Sequence, residues 1–198
     1  MEHPDVVSRE TEEKLRHYQD LLLSWNRRIN LISSRDEAFL WQRHILDSVQ
    51  VAPLLPQQGA VADLGSGAGL PGLIIAIMRP EPIHLVEADK RKAAFLLEAS
   101  RALGLRHATV HAKRVEAMSL PPLAGITARA LAPLADLLPH AHRFLVAEGV
   151  AVFPKGRAVE AELTDAASHW LMRVERFPSL TDPEATLLRL SEIRPAGA

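Results

Sequence analysis

A glycine-rich loop constrains the fold of this chain more than any other stretch of its sequence. Residues 61–72 read VADLGSGAGLPG, with four glycines directly behind a short apolar run. An apolar run of this length, followed by a glycine loop and a further apolar segment, is typical of a buried strand that turns into a helix. Glycines have no Cβ, so they let the backbone approach a ligand closely. The loop therefore predicts a binding site at the end of the first strand of an α/β sheet.

The spacing of the glycines is compatible with two kinds of nucleotide. Gly67, Gly69 and Gly72 satisfy the G-x-G-x-x-G pattern of dinucleotide-binding folds. Gly65, Gly67 and Gly69 give the G-x-G-x-G spacing that would admit the amino-acid end of S-adenosylmethionine. Asp63 favours the second interpretation, because a carboxylate at the strand end repels a pyrophosphate but suits a cationic sulfonium or ammonium group. No Gly-Lys-Ser/Thr follows, which excludes a P-loop.

A second acidic residue lies where a ribose would be bound. Glu87 ends the next predicted strand, about 22 residues after Gly65, where a carboxylate can accept both ribose hydroxyl hydrogens. This position fits either nucleotide, so it supports the site without choosing its ligand. The alternative, a glycine turn that merely joins a strand to a helix, does not explain the distant acid.

The chain beyond residue 60 alternates short apolar runs with helical segments, the pattern of a parallel sheet covered by helices on both faces. The expected strands are 61–64, 83–87, 108–111, 126–128 and 150–153. The expected helices are one that ends near residue 78, then 91–103, 133–145 and 159–170. Two further apolar runs, 172–177 and 185–190, flank a Thr-Asp-Pro turn and predict a closing antiparallel pair.

The first 50 residues have a helical period instead. Leu15, Tyr18 and Leu22 recur at intervals of three or four and predict an amphipathic helix. Ser34 and Glu37 have the spacing of a capping box and predict the start of a second helix. We therefore expect an N-terminal helical extension over residues 1–56 and a main α/β domain over residues 57–198.

The composition excludes several classes of protein. The chain has no cysteine, so it has neither disulfides nor a thiolate metal site. Its apolar runs fall far short of the roughly 20 residues that cross a bilayer, and it begins without an apolar leader, so a cytoplasmic protein without membrane contact is expected. A net charge of −1 means that any nucleic-acid surface is local. His140 and His142 have no third ligand nearby in sequence, so no metal is expected.

Several segments of the chain resemble the RsmG (GidB) family, methyltransferases that modify N7 of a guanine in bacterial small-subunit ribosomal RNA. The resemblance extends along most of the chain, although the final forty residues carry little that is distinctive. It is carried by W-N-x-x-I-N-L at 25–31, R-H-x-x-D-S at 43–48, the proline-containing loop at 63–72, a basic pair followed by Phe-Leu at 91–96, R-[AV]-E at 114–116, Ala-Arg-Ala in place of S-R-A at 128–130, and Lys-Gly at 155–156.

The resemblance implies a class I, Rossmann-like methyltransferase fold with a mostly parallel seven-stranded sheet and an N-terminal helical extension. It implies S-adenosyl-L-methionine as cofactor and the 530 loop of 16S rRNA, or the small ribosomal subunit, as partner. Separately from the resemblance, we expect a monomer. The family's cofactor contacts fall on Gly65, Leu70, Val115, Glu116 and Arg129, with Glu87 at the ribose. With the loop residues, the candidate cofactor-binding set is Asp63, Gly65, Gly67, Gly69, Leu70, Glu87, Val115, Glu116 and Arg129.

The implied chemistry needs no general base, because guanine N7 carries a lone pair and no hydrogen. Arg129 and Arg114 are therefore candidate catalytic residues that position the substrate, and no catalytic nucleophile with a general base is expected. Family members often carry an acid five residues before the S-R-A arginine, where this chain has Ala124, so no carboxylate role is assigned there. The candidate RNA-binding residues are Arg27, Arg28, Arg91, Lys92 and Lys155, although such pairs are more often simply solvated.

Three questions stay open at the level of sequence. Arg129 could serve the reaction or form a structural ion pair with Asp47 or Glu116. His44 and Asp47 could reach the cofactor cleft or only tie their helix to the main domain. The alternatives to the methyltransferase are an NAD-dependent oxidoreductase and a non-catalytic RNA-binding or assembly factor on the same fold.

Overall fold

A computed structural model of the protein describes residues 7–197, and they form one sheet flanked by helices. The strands are β1 Val61–Leu64, β2 Ile83–Val86, β3 Ala108–His111, β4 Leu123–Thr127, β5 Leu145–Lys155, β6 Trp170–Pro178 and β7 Thr186–Pro195. The helices are α1 Arg9–Asn26, α2 Leu46–Val49, α3 Gly72–Met78, α4 Lys90–Ala102, α5 Leu134–Phe144 and α6 Val159–Ala167.

The sheet has seven strands in the order β3-β2-β1-β4-β5-β7-β6. All neighbours are parallel except that β7 runs antiparallel to both β5 and β6. This confirms the mostly parallel seven-stranded sheet and its closing antiparallel pair. The order reverses between β1 and β4, and such a switch point opens a crevice at the carboxyl ends of the strands.

The strands β4 and β5 begin earlier in the chain than their apolar runs indicated. β4 begins at Leu123 and not at residue 126, and β5 begins at Leu145 and not at residue 150. The added residues pair with each other, because Leu123 lies opposite Leu145, and the register shifts before Gly125 meets Val150. Both stretches contain a glycine, and the second contains the exposed Glu148, so neither has the apolar pattern of a buried strand. Their strand structure is stabilised by tertiary pairing.

The amphipathic helix near the N-terminus is confirmed as α1, with Leu15, Tyr18 and Leu22 buried. The predicted capping box is wrong. Glu37 instead accepts a hydrogen bond from the side chain of Asn26 (2.6 Å), so it is unavailable to cap a helix beginning at Ser34. The chain from Glu37 therefore forms a 3₁₀ turn, Glu37–Phe39, a π-helical segment, Leu40–Ile45, and then the short α2.

The two faces of the sheet have different coverings. On one face α1, α3 and α4 bury a cluster that includes Leu15, Leu22, Leu73 and Phe95. On the other face α5 and α6 cover the sheet. The N-terminal helices thus share a hydrophobic core with β1 and its following helix, and they flank the loop that joins these elements.

Two absences hold for residues 7–197. In that range no helix is long and apolar enough to span a bilayer. The same residues contain no group of three or more histidine, aspartate and glutamate side chains placed to hold a metal ion.

Candidate cofactor site

A cavity of about 580 Å³ opens at the carboxyl ends of β1, β2 and β4, at the switch point of the sheet. Residues from six separate stretches of the chain line it. Those that the sequence pointed to are Gly65, Gly67, Leu70, Glu87, Lys92, Arg114, Val115, Glu116 and Arg129. The fold therefore brings most of the candidate cofactor residues, and both candidate positioning arginines, to one place.

The backbone of the glycine loop shapes the floor of this cavity. Gly65 has φ +67°, a conformation that L side chains rarely adopt, and a Cβ there would lie 2.6 Å from Leu131 Cδ1. Gly69 also has a positive φ but faces Leu73 of α3, and it does not line the cavity. Gly65 thus lets the backbone of the loop pass close to Leu131 at the floor of the cavity, whereas Gly69 lets the loop pack against Leu73 of α3.

A buried tyrosine supports the loop from below. The Tyr18 hydroxyl donates to the carbonyl oxygen of Ala68 (2.7 Å), although Tyr18 belongs to α1, fifty residues earlier in the chain. Burial raises the pKa of Tyr18 well above its usual value, so the hydroxyl keeps its proton and remains a donor. From its sequence Tyr18 is only one apolar position of a helical stripe, and this contact was not predicted.

Asp63 does not face the cavity, contrary to the expectation that its carboxylate would meet a cationic ligand. Its side chain is fully buried, and Oδ2 accepts the backbone N–H of Gly72 (3.1 Å) at the start of α3. The alternation of side chains along β1 turns Asp63 toward α3, beneath the loop. Its role in this structure is to hold the loop against the helix, and its burial raises its pKa to about 7.

Replacing Asp63 with asparagine should change how stability depends on pH. A carboxyl group whose pKa rises from 3.8 to about 7 on folding is neutral in both states at low pH, and its destabilising effect appears as pH rises between those values. We expect the wild-type protein to lose up to about 1.4 kcal/mol per pH unit relative to Asp63→Asn across this window. Urea unfolding of both proteins at pH 5 and pH 7.5 measures the difference; an equal pH dependence would contradict it.

Glu87 joins the loop to the end of β2. Its Oε2 accepts the N–H of Gly67 (2.8 Å), and its Oε1 accepts the N–H of Asp89 (2.7 Å). The side chain is 9% exposed and lines the cavity. Each carboxylate oxygen has a second acceptor position, so a carboxylate fixed in this way can also accept a pair of ribose hydroxyls.

Arg129 is bound by a histidine and not by the carboxylates considered from sequence. Its Nη1 lies 2.9 Å from Nδ1 of His44, and because a guanidinium can only donate, Nδ1 is the acceptor. Burial, and then the positive charge of Arg129, lower the pKa of His44, which keeps this ring neutral. The contact orients the guanidinium at the rim of the cavity.

His44 and Asp47 have different surroundings, although they lie three residues apart. His44 lines the cofactor cavity. Asp47 lies outside it and accepts hydrogen bonds from Ser179 (3.0 Å) and Thr181 (3.0 Å), in the turn between β6 and β7. One residue thus reaches the cleft, and the other connects the N-terminal segment to the sheet.

The candidate RNA-binding residues fall into two groups. Arg27, Arg28 and Arg91 are exposed, and Lys92 is partly exposed at the cavity. The structure contradicts the prediction that Lys155 binds RNA. Its side chain is only 9% exposed, and its Nζ donates to Glu162 Oε2 (2.7 Å) and to the carbonyl of Ala132 (3.1 Å). Its ammonium group is committed to an internal ion pair and is not presented to RNA.

Lys155→Ala should accordingly act on stability. Removing the ammonium leaves the Glu162 carboxylate with the N–H of Leu134 but without its cationic partner, which costs about 2 kcal/mol for a charge-assisted bond of this burial. We expect urea unfolding to show this loss and RNA affinity to change little. Lys92→Ala is the matched control, for which we expect unchanged stability and weaker RNA binding. A Lys155→Ala protein with unchanged stability and weakened RNA binding would contradict the assignment of Lys155 to an internal ion pair.

The global fold is shared with several solved methyltransferases. A ribosomal protein L11 methylase from Lactobacillus delbrueckii aligns with a TM-score of 0.61 at 16% identity, covering 74% of this chain and 76% of the other. A SAM-dependent methyltransferase from Aquifex aeolicus aligns with a TM-score of 0.60 at 15% identity, covering 78% and 93%. These similarities confirm the class I methyltransferase fold.

Relatives of higher identity carry one and the same description. The ribosomal RNA small subunit methyltransferase G of Granulibacter bethesdensis is 54% identical over 188 residues, covering 94% of this chain and 88% of the relative. The protein of the same description from Rhodospirillum centenum is 53% identical over 192 residues, covering 96% and 88%. The family model GidB, rRNA small subunit methyltransferase G, matches residues 11–187, and the chain therefore belongs to this family.

Proposed function

We propose that this protein transfers a methyl group from S-adenosyl-L-methionine to N7 of a guanine in the 530 loop of 16S rRNA, acting as a monomer in the cytoplasm. The observation that carries the proposal is the cavity at the switch point, where the glycine loop, Glu87 and Arg129 meet in a chain of the rRNA methyltransferase family. We assign cofactor binding to residues 57–198 and one wall of the site to residues 1–56.

The residues present fit this cofactor. Gly65 and Gly67 line the cavity and have no side chains, which leaves room for an amino-acid end, and Glu87 suits the ribose hydroxyls. Leu70 and Val115 offer apolar surface for the adenine. The bound cofactor supplies an electrophilic methyl group on a sulfonium. Asp63 no longer argues against NAD, since it faces away from the cavity, so family membership is what favours S-adenosylmethionine.

The chain's own contribution to catalysis is alignment. Guanine N7 attacks with an in-plane lone pair, so no side chain has to remove a proton. Holding the base in line with the methyl carbon converts an encounter into an intramolecular step, which can supply several kcal/mol. Arg129, oriented by His44, and the exposed Arg114 at the rim are the groups that would hold the base.

Access to N7 requires an unstacked guanine, because paired and stacked RNA conceals this edge from a protein cavity. Arg27, Arg28, Arg91 and Lys92 provide local positive charge on a chain whose net charge is −1. We propose that they contact the RNA backbone around the cavity and contribute salt-dependent affinity.

The proposal is tested by mapping N7-methylguanine in 16S rRNA from a strain that lacks the gene. Borohydride reduction and aniline cleavage, read by primer extension, should show the signal at the 530 loop in the parent and its loss in the deletion. A persistent signal would overturn the proposal. If the purified protein binds RNA but not S-adenosylmethionine in a calorimeter, a non-catalytic assembly factor replaces it.

A further inference from the structure

A second cavity adjoins the proposed cofactor site. It has a volume of about 660 Å³ and shares Arg129, Ala130 and Leu131 with the first cavity. Ala130, between the two, has φ +54°, a left-handed conformation that residues other than glycine rarely adopt. Strained backbone of this kind is concentrated at ligand sites. A molecule in the second cavity would lie next to the cofactor.

The walls of the second cavity are mostly apolar and include Pro133 and Pro154. Lys155 and Glu162 also line it, but their charges are bonded to each other. Two further charged groups face this space, the guanidinium of Arg129 and the carboxylate of Asp47. Apolar walls with one cation and one anion suit a flat, polar heterocycle such as a nucleobase.

Asp47 is held in a way that leaves one oxygen for a ligand. The residue is 9% exposed, and its Oδ1 accepts from Ser179 Oγ (3.0 Å), Thr181 Oγ1 (3.0 Å) and, at 3.5 Å, Gln50 Nε2. Within the part of the chain that the structure describes, Oδ2 accepts no hydrogen bond. Three donors thus fix the carboxylate, while its second oxygen remains an unused acceptor on the cavity wall.

We infer that Asp47 selects guanine by accepting hydrogen bonds from the N1–H and the 2-amino group of the target base. The inference rests on the proposed function, since it takes guanine as the substrate. Around guanine the groups follow in the order N7, O6, N1–H and 2-amino. Along the protein the order is cofactor cavity, Arg129, Asp47.

This arrangement places each edge of the base opposite a complementary group. N7 faces the cofactor, the guanidinium of Arg129 donates to O6, and Asp47 accepts from the two donors beyond it. Adenine in the same orientation would present its N1 lone pair to the carboxylate and an amino group to the guanidinium. Both contacts would be repulsive, so the site rejects adenine as well as attracting guanine.

The test compares two enzymes on two bases. Small subunits are assembled with ligated 16S rRNA that carries either guanosine or inosine at the target; inosine lacks only the 2-amino group. The wild-type protein and Asp47→Asn are assayed for kcat/KM with labelled S-adenosylmethionine. We expect the wild-type rate to fall about ten-fold or more on inosine, as for a lost bond to a charged acceptor, and Asp47→Asn to be slow on both bases without preferring either.

Asp182→Asn is the matched control, since this exposed aspartate lies in the same turn and lines neither cavity. It should keep the wild-type preference for guanosine. If Asp47 only anchors the turn, Asp47→Asn will lose activity on both bases equally and retain the preference, which overturns the inference.

A wild-type enzyme that does not distinguish inosine from guanosine also overturns the inference, even if Asp47→Asn fails to fold. The dissociation constant of S-adenosylmethionine should be the same for the wild-type protein and Asp47→Asn. Failure of the wild-type enzyme to methylate guanosine at all would instead refute the proposed function, so the two failures are distinguishable.

Discussion

Arg129→Ala should reduce methyl transfer by about 100-fold or more while costing the fold only about 1 kcal/mol. The large kinetic effect is expected because Arg129 lies on the rim shared by the two cavities, where misplacing the base removes the alignment that the reaction depends on. The small stability effect corresponds to one hydrogen bond, to a neutral His44. Single-turnover methylation and urea unfolding, measured on the same preparation, give the two quantities.

The control for this prediction is Arg176→Ala. Arg176 also has a side-chain partner, since its Nε donates to Glu160 Oε1 (3.2 Å), but it lies on β6 and lines neither cavity. Its removal should leave methyl transfer within a factor of about two, since exposed ion pairs contribute little. If Arg129→Ala instead loses activity only in proportion to the unfolded fraction, Arg129 is a structural residue and the proposed role is wrong.

Glu87→Gln should weaken the binding of S-adenosylmethionine by about ten- to one-hundred-fold. The carboxylate accepts the N–H groups of Gly67 and Asp89, and an amide in its place must direct an NH₂ group toward one of these donors or toward a ribose hydroxyl. The loop and the ribose position would both be disturbed. Isothermal titration with S-adenosylhomocysteine measures the affinity without turnover.

Glu98→Gln provides the comparison, because Glu98 is an exposed glutamate on the following helix, α4, and does not line the cavity. It should bind the ligand as the wild-type protein does. Equal affinities for Glu87→Gln and Glu98→Gln would exclude Glu87 from the cofactor site. At saturating cofactor, Glu87→Gln should recover much of its kcat, which would place the defect in binding.

The fold could be predicted where local signals and tertiary pairing agree. β1 and β3 begin and end at the expected residues, because each is a four-residue segment placed between a helix or loop on either side, and β-branched residues favour strands. β5 was underestimated, since its first residues include exposed side chains and a glycine, and they are held in the sheet by pairing across Leu123 and Leu145. Local sequence patterns do not reveal that this pairing forms.

Within the site, the positions were more predictable than the contacts. Spacing identified the glycine loop and Glu87, and both lie at the cavity. The orientation of Asp63 was wrong, although the period of two along β1 places it on the same face as Val61 and thus toward α3. The contacts of Tyr18 and His44 join residues 50 and 85 positions apart, a separation at which helical periodicity carries no information.

During synthesis, α1 leaves the ribosome before the surface that will bury its apolar stripe has been made. Leu15, Tyr18 and Leu22 pack against residues of α3 and α4 that follow more than sixty positions later in several cases, such as Phe95. Because translation adds roughly five to twenty residues per second, the apolar side chains of α1 stay without their packing partners for several seconds. An isolated helix of this length is only marginally stable, so α1 depends on these later residues for its stability. The first helix of the chain therefore reaches its native packing only after α4 has been made.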